Sequence, residues 1–384
     1  MNLAIFSNFY PPKTGGSSHY AHDLAVEMTK HGHQVIVITA NLDGFKASST
    51  HEDGVVVYRL PSLQWPSLGI SHGFDLRWTF LPNNFGMIGM LLSHHGIDAL
   101  HCCGQFMDLV VPAAFWSWFL GIPSVLSIHT RVEHTDKFYD SVLSFLDKTV
   151  VRFLVSAFRV VIALDKPCEQ YIDARYRPSL VMPIVTGVRI PKRVGGHKEQ
   201  LILSVSHVTK LKSPESLIRA MPYVLKEFPR AKLAIVGKVC EPSVYDLVDG
   251  LRLRDSVKFY GNVPYKDVEK LYARAMIEAH DLGLGLGIGS SALEAMGSGL
   301  CVLSAAEPDN FWKISPRPAH EIFYVQKDDS RHIADMIRFA LWKGTAKRIG
   351  MNARKYVLKH FAWERIGNQF NQLYTSLVNA KRCP

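Results

Sequence analysis

Residues 281–303 read DLGLGLGIGSSALEAMGSGLCVL and carry the strongest fold signal in the chain. The pattern predicts a glycine-rich strand, a tight turn at Gly289 and Ser290, a helix that contains Glu294, and a second buried strand. A helix that opens directly after such a turn presents backbone N–H groups and the positive end of its dipole, which favours a phosphate. Glu294, one turn inside, can accept hydrogen bonds from sugar hydroxyls. The segment therefore predicts a nucleotide-sugar site, although an ordinary strand–turn–helix of an α/β protein has the same pattern.

Length and composition indicate a globular protein of several domains. The chain has 384 residues, of which 47% are apolar and 20% charged, and this length predicts about two to three domains. No apolar run reaches the ~18 residues of a membrane-spanning helix, and the N-terminus is typical of a first strand rather than of a signal peptide. Six cysteines without a CxxC spacing predict neither a disulfide framework nor a zinc site, so we expect a cytoplasmic location.

The formal net charge of +10 has two interpretations. A solvated basic surface explains it without any partner. The sharper interpretation is attraction to phosphorylated ligands or to an anionic membrane surface, with the protein peripheral on the cytoplasmic face. Nucleic acid is not expected as a partner, because no recognition motif accompanies the charge.

The chain divides into two α/β halves. Apolar runs such as QVIVITA (34–40) and KLAIVG (232–237) alternate with helical patterns in each half. We therefore predict an N-terminal Rossmann-like acceptor domain over 1–185, a linker over 186–200, a C-terminal Rossmann-like donor domain over 201–363 and a crossover helix over 364–384 that packs on the first domain. Two doubly wound domains joined in this way face a cleft, and ligands bind such sheets at the carboxyl ends of their strands.

Several segments resemble the family-four retaining glycosyltransferases. These segments are the opening strand, loop and helix (6–39), IDALHCCG (97–104), GIPSVLSIHT (121–130), TGVRI (186–190), LEAMGSGLCVLSA (293–305) and the closing helices (349–374). Their order and spacing together are more specific than any one of them. The resemblance implies the GT-B fold, in which two Rossmann-like domains face each other and the final helix returns to the first one.

The resemblance also implies site residues in the first half. Gly15 and Gly16 match the loop whose backbone comes close to a donor phosphate. His129 matches the histidine that contacts the donor sugar near the reacting carbon. His134 and Tyr10 are candidate acceptor contacts. A plain left-handed turn and a satisfied strand-end histidine are the alternatives for the loop and for His129.

In the second half the resemblance implies two cations on the diphosphate. In SVSHVTKLKSPESLI (204–218) the family lysine is kept as Lys212, whereas the arginine position holds His207, or Lys210 if the loop is offset. Cations there stabilise the leaving nucleotide as negative charge grows on it. His207 would do so only when protonated, so the sequence predicts higher activity toward lower pH. A solvated helix-start lysine is the alternative for Lys212.

The paired-glutamate motif of the family is incomplete. Eight positions before Glu294 stands Leu286, where many members carry a first, sugar-binding glutamate. GIGSSALE (287–294) is closer to a subset with the turn Gly-x-Gly-Arg-x-x-x-Glu, with Ser290 replacing the arginine. The resemblance therefore implies that Gly289, Ser290, Ser291 and Glu294 bind the donor, while the two serines can also simply cap the helix.

Aromatic residues crowd the first half, and most of them are expected to be core. The stretch NFGMIGMLLSHH (84–95) is the best candidate for an amphipathic acceptor face at a membrane, and it fits a lipid or lipid-linked acceptor. No Asp-x-Asp occurs, so no metal is expected to anchor the donor, and no cofactor beyond the nucleotide-sugar substrate is predicted.

The sequence thus favours a retaining, metal-independent hexosyltransferase with a nucleoside-diphosphate sugar donor, in which His129, Lys212 and Glu294 act at the reacting centre. Two alternatives stay open. A sugar epimerase of the same fold would need a carboxylate and a histidine on opposite sides of the sugar. A non-catalytic nucleotide-sugar-binding homologue or partner subunit is consistent with Leu286 and His207 in place of the family residues.

Overall fold

The computed structural model describes residues 1–13, 15–42, 44–64, 77–129, 131, 136–192, 194–195, 198–209, 212, 214–279, 281–282 and 287–382. These residues form two compact units. Unit 1 comprises Met1–Gly187 and Trp363–Pro384, and unit 2 comprises Val188–Ala362. Each unit is built around one mainly parallel β-sheet.

The sheet of unit 1 has eight strands within the described residues. They are β1 (Asn2–Phe6), β2 (Gln34–Ala40), β3 (Ser48–Glu52), β4 (Val55–Leu60), β7 (Ala99–Cys103), β8 (Ser124–Ile128), β9 (Val160–Ala163) and β10 (Val181–Pro183), while β5 (Leu63–Gln64) and β6 (Arg77–Trp78) form a separate short hairpin. The order in the sheet is β10-β9-β8-β7-β1-β2-β4-β3, and only β3 is antiparallel to its neighbour. The strand order therefore reverses between β1 and β7, which is where ligands bind such sheets.

The helices of residues 1–187 connect these strands. They are α1 (Gly16–Lys30), α2 (Pro82–His94), α3 (Val110–Phe119), α4 (Lys137–Leu146), α5 (Arg152–Ser156) and α6 (Lys166–Arg175), with a π-helical turn over Asp147–Val151 that joins α4 to α5. Helix α1 has an apolar face with helical spacing, in which Ala21, Leu24, Ala25 and Met28 are fully buried.

Unit 2 has a six-stranded sheet in which every pairing is parallel. Its strands are β11 (Glu199–Val205), β12 (Lys232–Val236), β13 (Val257–Gly261), β14 (Ala275–Ala279), β15 (Cys301–Ser304) and β16 (Phe323–Tyr324), in the order β13-β12-β11-β14-β15-β16. Its helices are α7 (Pro214–Leu225), α8 (Ser243–Gly250), α9 (Tyr265–Arg274), α10 (Ser290–Gly297), α11 (Ser330–Leu341) and α12 (Thr345–His360). The strand order reverses between β11 and β14.

The last helix, α13 (Trp363–Arg382), belongs to unit 1. His33 Nε2 lies 2.8 Å from Asn371 Oδ1, and the Tyr374 hydroxyl hydrogen bonds with His101 on β7. Gly367 allows the close approach to α1, because a Cβ at that position would lie 2.4 Å from Glu27 Cγ. The chain thus returns to its first unit, as the GT-B resemblance implies.

The structure places two boundaries differently from the sequence analysis. The linker was predicted over 186–200, but the chain passes into unit 2 after Gly187, and β11 already begins at Glu199. Lys198 is part of unit 2, because its Nζ donates to the carbonyls of Tyr272 (3.1 Å) and Ala275 (2.9 Å) at the end of α9. A strand that was not predicted, β14, ends at Ala279, and most of the predicted glycine-rich strand (283–286) lies outside the described residues.

The predicted acceptor face over 84–95 falls on α2. That helix packs one side into unit 1, where Asn84, Ile88, Gly89 and Leu92 are buried, and Gly89 lies against the Trp116 ring. Met90 is exposed on the other side. None of the described helices combines the length and the apolar composition needed to cross a membrane.

Candidate functional site

Helix α10 begins at the carboxyl edge of the unit 2 sheet, in the connection between β14 and β15. Gly289 is its N-cap and is exposed, and a glycine offers no side-chain oxygen to the first-turn N–H groups. Ser290 and Ser291 are the first two residues of the helix, so the interpretation that they cap it is wrong. The helix opening therefore has the backbone N–H groups and the dipole that suit a phosphate.

The first turn of α10 is held in place from α9. The hydroxyl of Tyr272, which is almost fully buried, donates to the Ser291 carbonyl at 3.1 Å. Glu294 lies one turn further and is half-buried, and its charge contributes to the raised pKa of Tyr272, which arises mainly from burial. A carboxylate held at this depth can reach a ligand at the helix opening.

Two other predicted residues lie on the loop that follows β11. Because β11 and β14 are neighbours in the sheet, with Leu203 paired to Glu278, this loop and the loop before α10 leave the same edge side by side. Lys212 is half-exposed, and its ammonium group has no hydrogen-bond partner among the described residues. It is thus available to an anion at the strand-order reversal of unit 2.

His207 is held in a way that argues against a cationic role. Its Nδ1 accepts a hydrogen bond from the Lys238 backbone N–H at 3.0 Å. A proton on Nδ1 would break this bond, so the geometry favours the neutral ring with its proton on Nε2. In that form Nε2–H can donate to a phosphate without any positive charge, and the preference for lower pH stays a prediction.

Gly237 makes that contact possible and was not among the predicted site residues. Gly237 directly follows β12 with φ 137°, and a Cβ there would lie 2.3 Å from the Ser206 carbonyl oxygen. Only glycine lets the end of β12 approach the β11 loop so closely. A glycine directly after the strand KLAIV was the available signal. Lys210, the alternative diphosphate cation, lies outside the described residues, as does Leu286.

Unit 1 presents a second helix opening. Gly15 is the N-cap of α1 with φ 148°, and Gly16 is the first helical residue, so both lie in the loop that follows β1 at the strand-order reversal. As in α10, a glycine N-cap leaves the first-turn N–H groups without a side-chain cap. The positive φ of Gly15 is a conformation that glycine adopts without steric cost, and the contact of this loop with a donor phosphate stays a prediction.

His129 follows β8 and packs against α1. Its ring meets the Tyr20 ring edge-on, with centroids 4.5 Å apart and an interplanar angle of 79°. Burial lowers the pKa of His129 to about 4, so the imidazole is neutral near pH 7. Its Nε2 is shielded from solvent and has no hydrogen-bond partner among the described residues. A neutral ring with an unused nitrogen suits a sugar hydroxyl.

A chain of buried polar side chains that was not predicted from the sequence lies behind the His129 ring. Tyr20 Oη lies 3.1 Å from Ser127 Oγ, which is 2.6 Å from His101 Nε2, and His101 Nδ1 hydrogen bonds with Tyr374 on α13. Burial, together with the charge of His129, lowers the pKa of His101 to about 3. Only the fold brings these four residues together.

Tyr10 and His134 are the two predicted acceptor contacts. Tyr10 is almost fully buried, and its hydroxyl has no hydrogen-bond partner among the described residues. Burial raises the pKa of that hydroxyl, so it stays protonated and can donate. His134 lies outside the described residues. The acceptor roles of both residues remain predictions.

Two family models match consecutive parts of the chain. The model "Glycosyltransferase Family 4" matches residues 14–190, and the model "Glycosyl transferases group 1" matches residues 190–356. An uncharacterised glycosyltransferase of Methanocaldococcus jannaschii is 25% identical over 97% of this chain and 98% of its own length. Alpha-monoglucosyldiacylglycerol synthase of Streptococcus pneumoniae is 23% identical over 85% of this chain and 76% of its own length.

A solved structure supports the same assignment at the level of the fold. Anabaena HepE, in complex with UDP and glucose, superposes with a TM-score of 0.75 at 18% identity, and the match covers 98% of this chain and all of HepE. Its fold is that of the GT-B glycosyltransferases. With consecutive family models over residues 14–356 and the same two-domain fold, the chain belongs to the family-four glycosyltransferases.

Proposed function

We propose that this protein transfers a sugar from a nucleoside-diphosphate sugar to an acceptor hydroxyl, with retention of the anomeric configuration. The observation that carries the proposal is the opening of α10, whose glycine N-cap lies at the edge where Lys212 and His207 follow the neighbouring strand. This arrangement matches the charge and shape of a diphosphate.

The donor lies on unit 2 in this proposal. The diphosphate accepts hydrogen bonds from the first-turn N–H groups of α10 and from His207 Nε2, and Lys212 supplies the positive charge. Glu294 accepts from hydroxyls of the ribose or of the sugar. HepE, whose structure contains UDP and glucose, supports a uridine nucleotide as the first donor to test.

The reaction needs no nucleophile from the protein. The bond between the anomeric carbon and the diphosphate oxygen breaks while the acceptor oxygen attacks from the same face, and the leaving phosphate takes the acceptor proton. Negative charge then grows on the diphosphate, where Lys212 and the α10 N–H groups stabilise it. Because these groups neutralise the diphosphate, the proposal includes no metal ion.

His129 acts on the sugar in this proposal. Its neutral ring and unpaired Nε2 suit a hydrogen bond with a sugar hydroxyl near the reacting carbon. Gly15 and Gly16 let the α1 opening approach the donor phosphate, and Tyr10 and His134 contact the acceptor.

The acceptor is proposed to be a lipid or a lipid-linked glycan at an anionic membrane surface. The streptococcal relative is named as the synthase of a glucosylated diacylglycerol, and the net charge of this chain is +10. An exposed aromatic cluster on α3, with Trp118 at 74% and Phe119 at 61% exposure, supports an apolar partner for unit 1.

The test is a panel of nucleotide sugars with diacylglycerol and a glycolipid as acceptors. Calorimetry measures donor binding, and release of free nucleotide measures turnover. We expect binding of one donor, followed by a glycolipid product with the anomeric configuration of the donor. Tight donor binding without turnover on any acceptor would instead support the non-catalytic homologue. A product with the opposite anomeric configuration to the donor would contradict retention but not the transfer of the sugar.

A further inference from the structure

Residues 137–156 form an outer helix that turns apolar side chains to solvent. The outer helix consists of α4, the π-helical turn and α5, and it spans about 30 Å at 1.5 Å per residue. Its exposed apolar residues are Phe138, Val142, Phe145, Leu146, Val150 and Phe153. The three phenylalanines are 71%, 67% and 75% exposed, which is unusual for a folded surface.

The opposite side of the outer helix is anchored by a buried charge. Asp147 is fully buried; the Tyr171 hydroxyl donates to it at 2.5 Å, and the Tyr176 hydroxyl donates to its other oxygen. Arg175 Nη1 lies 3.2 Å from the same carboxylate and donates to Ser144 Oγ at 2.9 Å. These bonds fix which side of the outer helix packs against the rest of unit 1. The opposite side, which carries the phenylalanines, therefore faces solvent.

Cations accompany the exposed apolar residues. Lys137 and Lys148 are exposed and Arg152 is half-exposed. The acids of the same segment offset this charge only in part. Asp147 pairs with Arg175, whereas Asp136, which accepts from the backbone N–H groups of Phe138 and Tyr139, and Asp140 lie close to Lys137 in the sequence and oppose its charge.

We propose that the outer helix docks the protein on a membrane surface that carries anionic lipids. Its phenylalanines would enter the acyl boundary, and Lys137, Lys148 and Arg152 would meet lipid phosphates. A second copy of the chain is a poorer occupant, because a two-fold contact through this face would bring two sets of these cations together in a protein with a net charge of +10. The inference extends the membrane part of the proposed function and moves the docking face from 84–95 to this helix.

The experiment is vesicle co-sedimentation of the full chain without donor or acceptor. One set of vesicles contains phosphatidylcholine alone, and the other also contains phosphatidylglycerol. We expect binding to the anionic vesicles only. The double variant Phe145→Ser/Phe153→Ser should weaken binding to the anionic vesicles by about tenfold or more. Lys148→Glu should also weaken this binding, without making it more dependent on the salt concentration. Trp342→Ser, at an exposed aromatic of unit 2, should bind like the unchanged protein.

Three outcomes would overturn the inference. These are no binding of the unchanged protein to anionic vesicles, equal binding of the double variant, and a dimer in sedimentation velocity that the double variant loses. Far-UV circular dichroism and the melting temperature verify that each variant is folded. Calorimetric UDP binding, measured in parallel, separates a failure of docking from a failure of the proposed transferase site.

Discussion

Glu294 is the residue that most directly tests the donor site. It lies one turn inside α10 and is half-buried, at a depth where a carboxylate can meet a ligand at the helix opening. Glu294→Ala should lower turnover by about tenfold or more, which corresponds to about 1.4 kcal/mol of transition-state stabilisation. Initial rates of nucleotide release measure it. Glu307→Ala, at an exposed glutamate of the same unit, is the matched control and should keep full activity.

Lys212 tests whether the diphosphate lies where the β11 and β14 loops leave the sheet. Its ammonium has no partner among the described residues, so Lys212→Ala removes charge from the site and little from the fold. We expect a loss of turnover of about tenfold with an unchanged melting temperature. Lys347→Ala on α12 removes one exposed positive charge from the same unit and should change neither. Equal rates for the two variants would remove Lys212 from the site.

At the scale of the element, α13 depends on a position without a side chain. A Cβ at residue 367 would lie 2.4 Å from Glu27 Cγ, and Glu27 cannot move freely because it is buried and bonded to Lys30 at 2.8 Å. Gly367→Ala should therefore destabilise unit 1 by about 1–3 kcal/mol in denaturant unfolding. The double variant Gly367→Ala/Glu27→Ala should recover part of that loss, because the clash disappears. Strictly additive single-variant effects would contradict this contact.

Elements with a continuous apolar signal were predictable from the sequence. The strand Gln34–Ala40 was predicted with the bounds that the structure gives, and the run over 232–237 exceeds β12 by one residue, because runs rich in β-branched residues favour strands. β14 was not predicted, because AMIEA contains a glutamate and one β-branched residue, and the neighbouring glycines gave the more conspicuous pattern. The outward face of the outer helix also escaped prediction, since its apolar pattern does not tell which side meets the sheet.

The same distinction holds for the candidate site. Gly289 and Glu294 follow from a local pattern, and Lys212 from its match to the family lysine after a strand, so these candidates are within reach of the sequence. In the polar chain Tyr20–Ser127–His101–Tyr374, the hydrogen bond between His101 and Tyr374 joins residues that are 273 positions apart in the sequence. No local signal connects such residues. The tautomer of His207 likewise depends on Lys238, which arrives from the next strand only in the folded unit.

At the scale of the whole molecule, buried histidines make stability depend on acid. Burial lowers the pKa of His101 to about 3 and that of His129 to about 4, and it also lowers the pKa values of His33 and His95. In the unfolded chain these groups take up protons near pH 6.5, whereas the folded protein excludes them. Between about pH 6.5 and pH 4.5 the unfolded state therefore binds more protons, and the free energy of unfolding falls as the pH falls.

His101 and His129 should each lower the free energy of unfolding by up to about 1.4 kcal/mol per pH unit in that window. Melting temperatures from pH 7.5 to pH 4.5 measure the effect. Three acids among the described residues have lowered pKa values: Glu52 and Glu321, with an ordinary pKa of 4.5, and Asp249, with an ordinary pKa of 3.8. They lose their contribution only as the pH falls below these ordinary values, so they do not obscure the effect of the histidines. His101→Gln should be less stable than the unchanged protein at pH 7.5, because the bonds to Ser127 and Tyr374 are disturbed, but its stability should fall less steeply with acid. An identical slope for both proteins would mean that His101 takes up its proton as readily in the folded unit as in the unfolded chain.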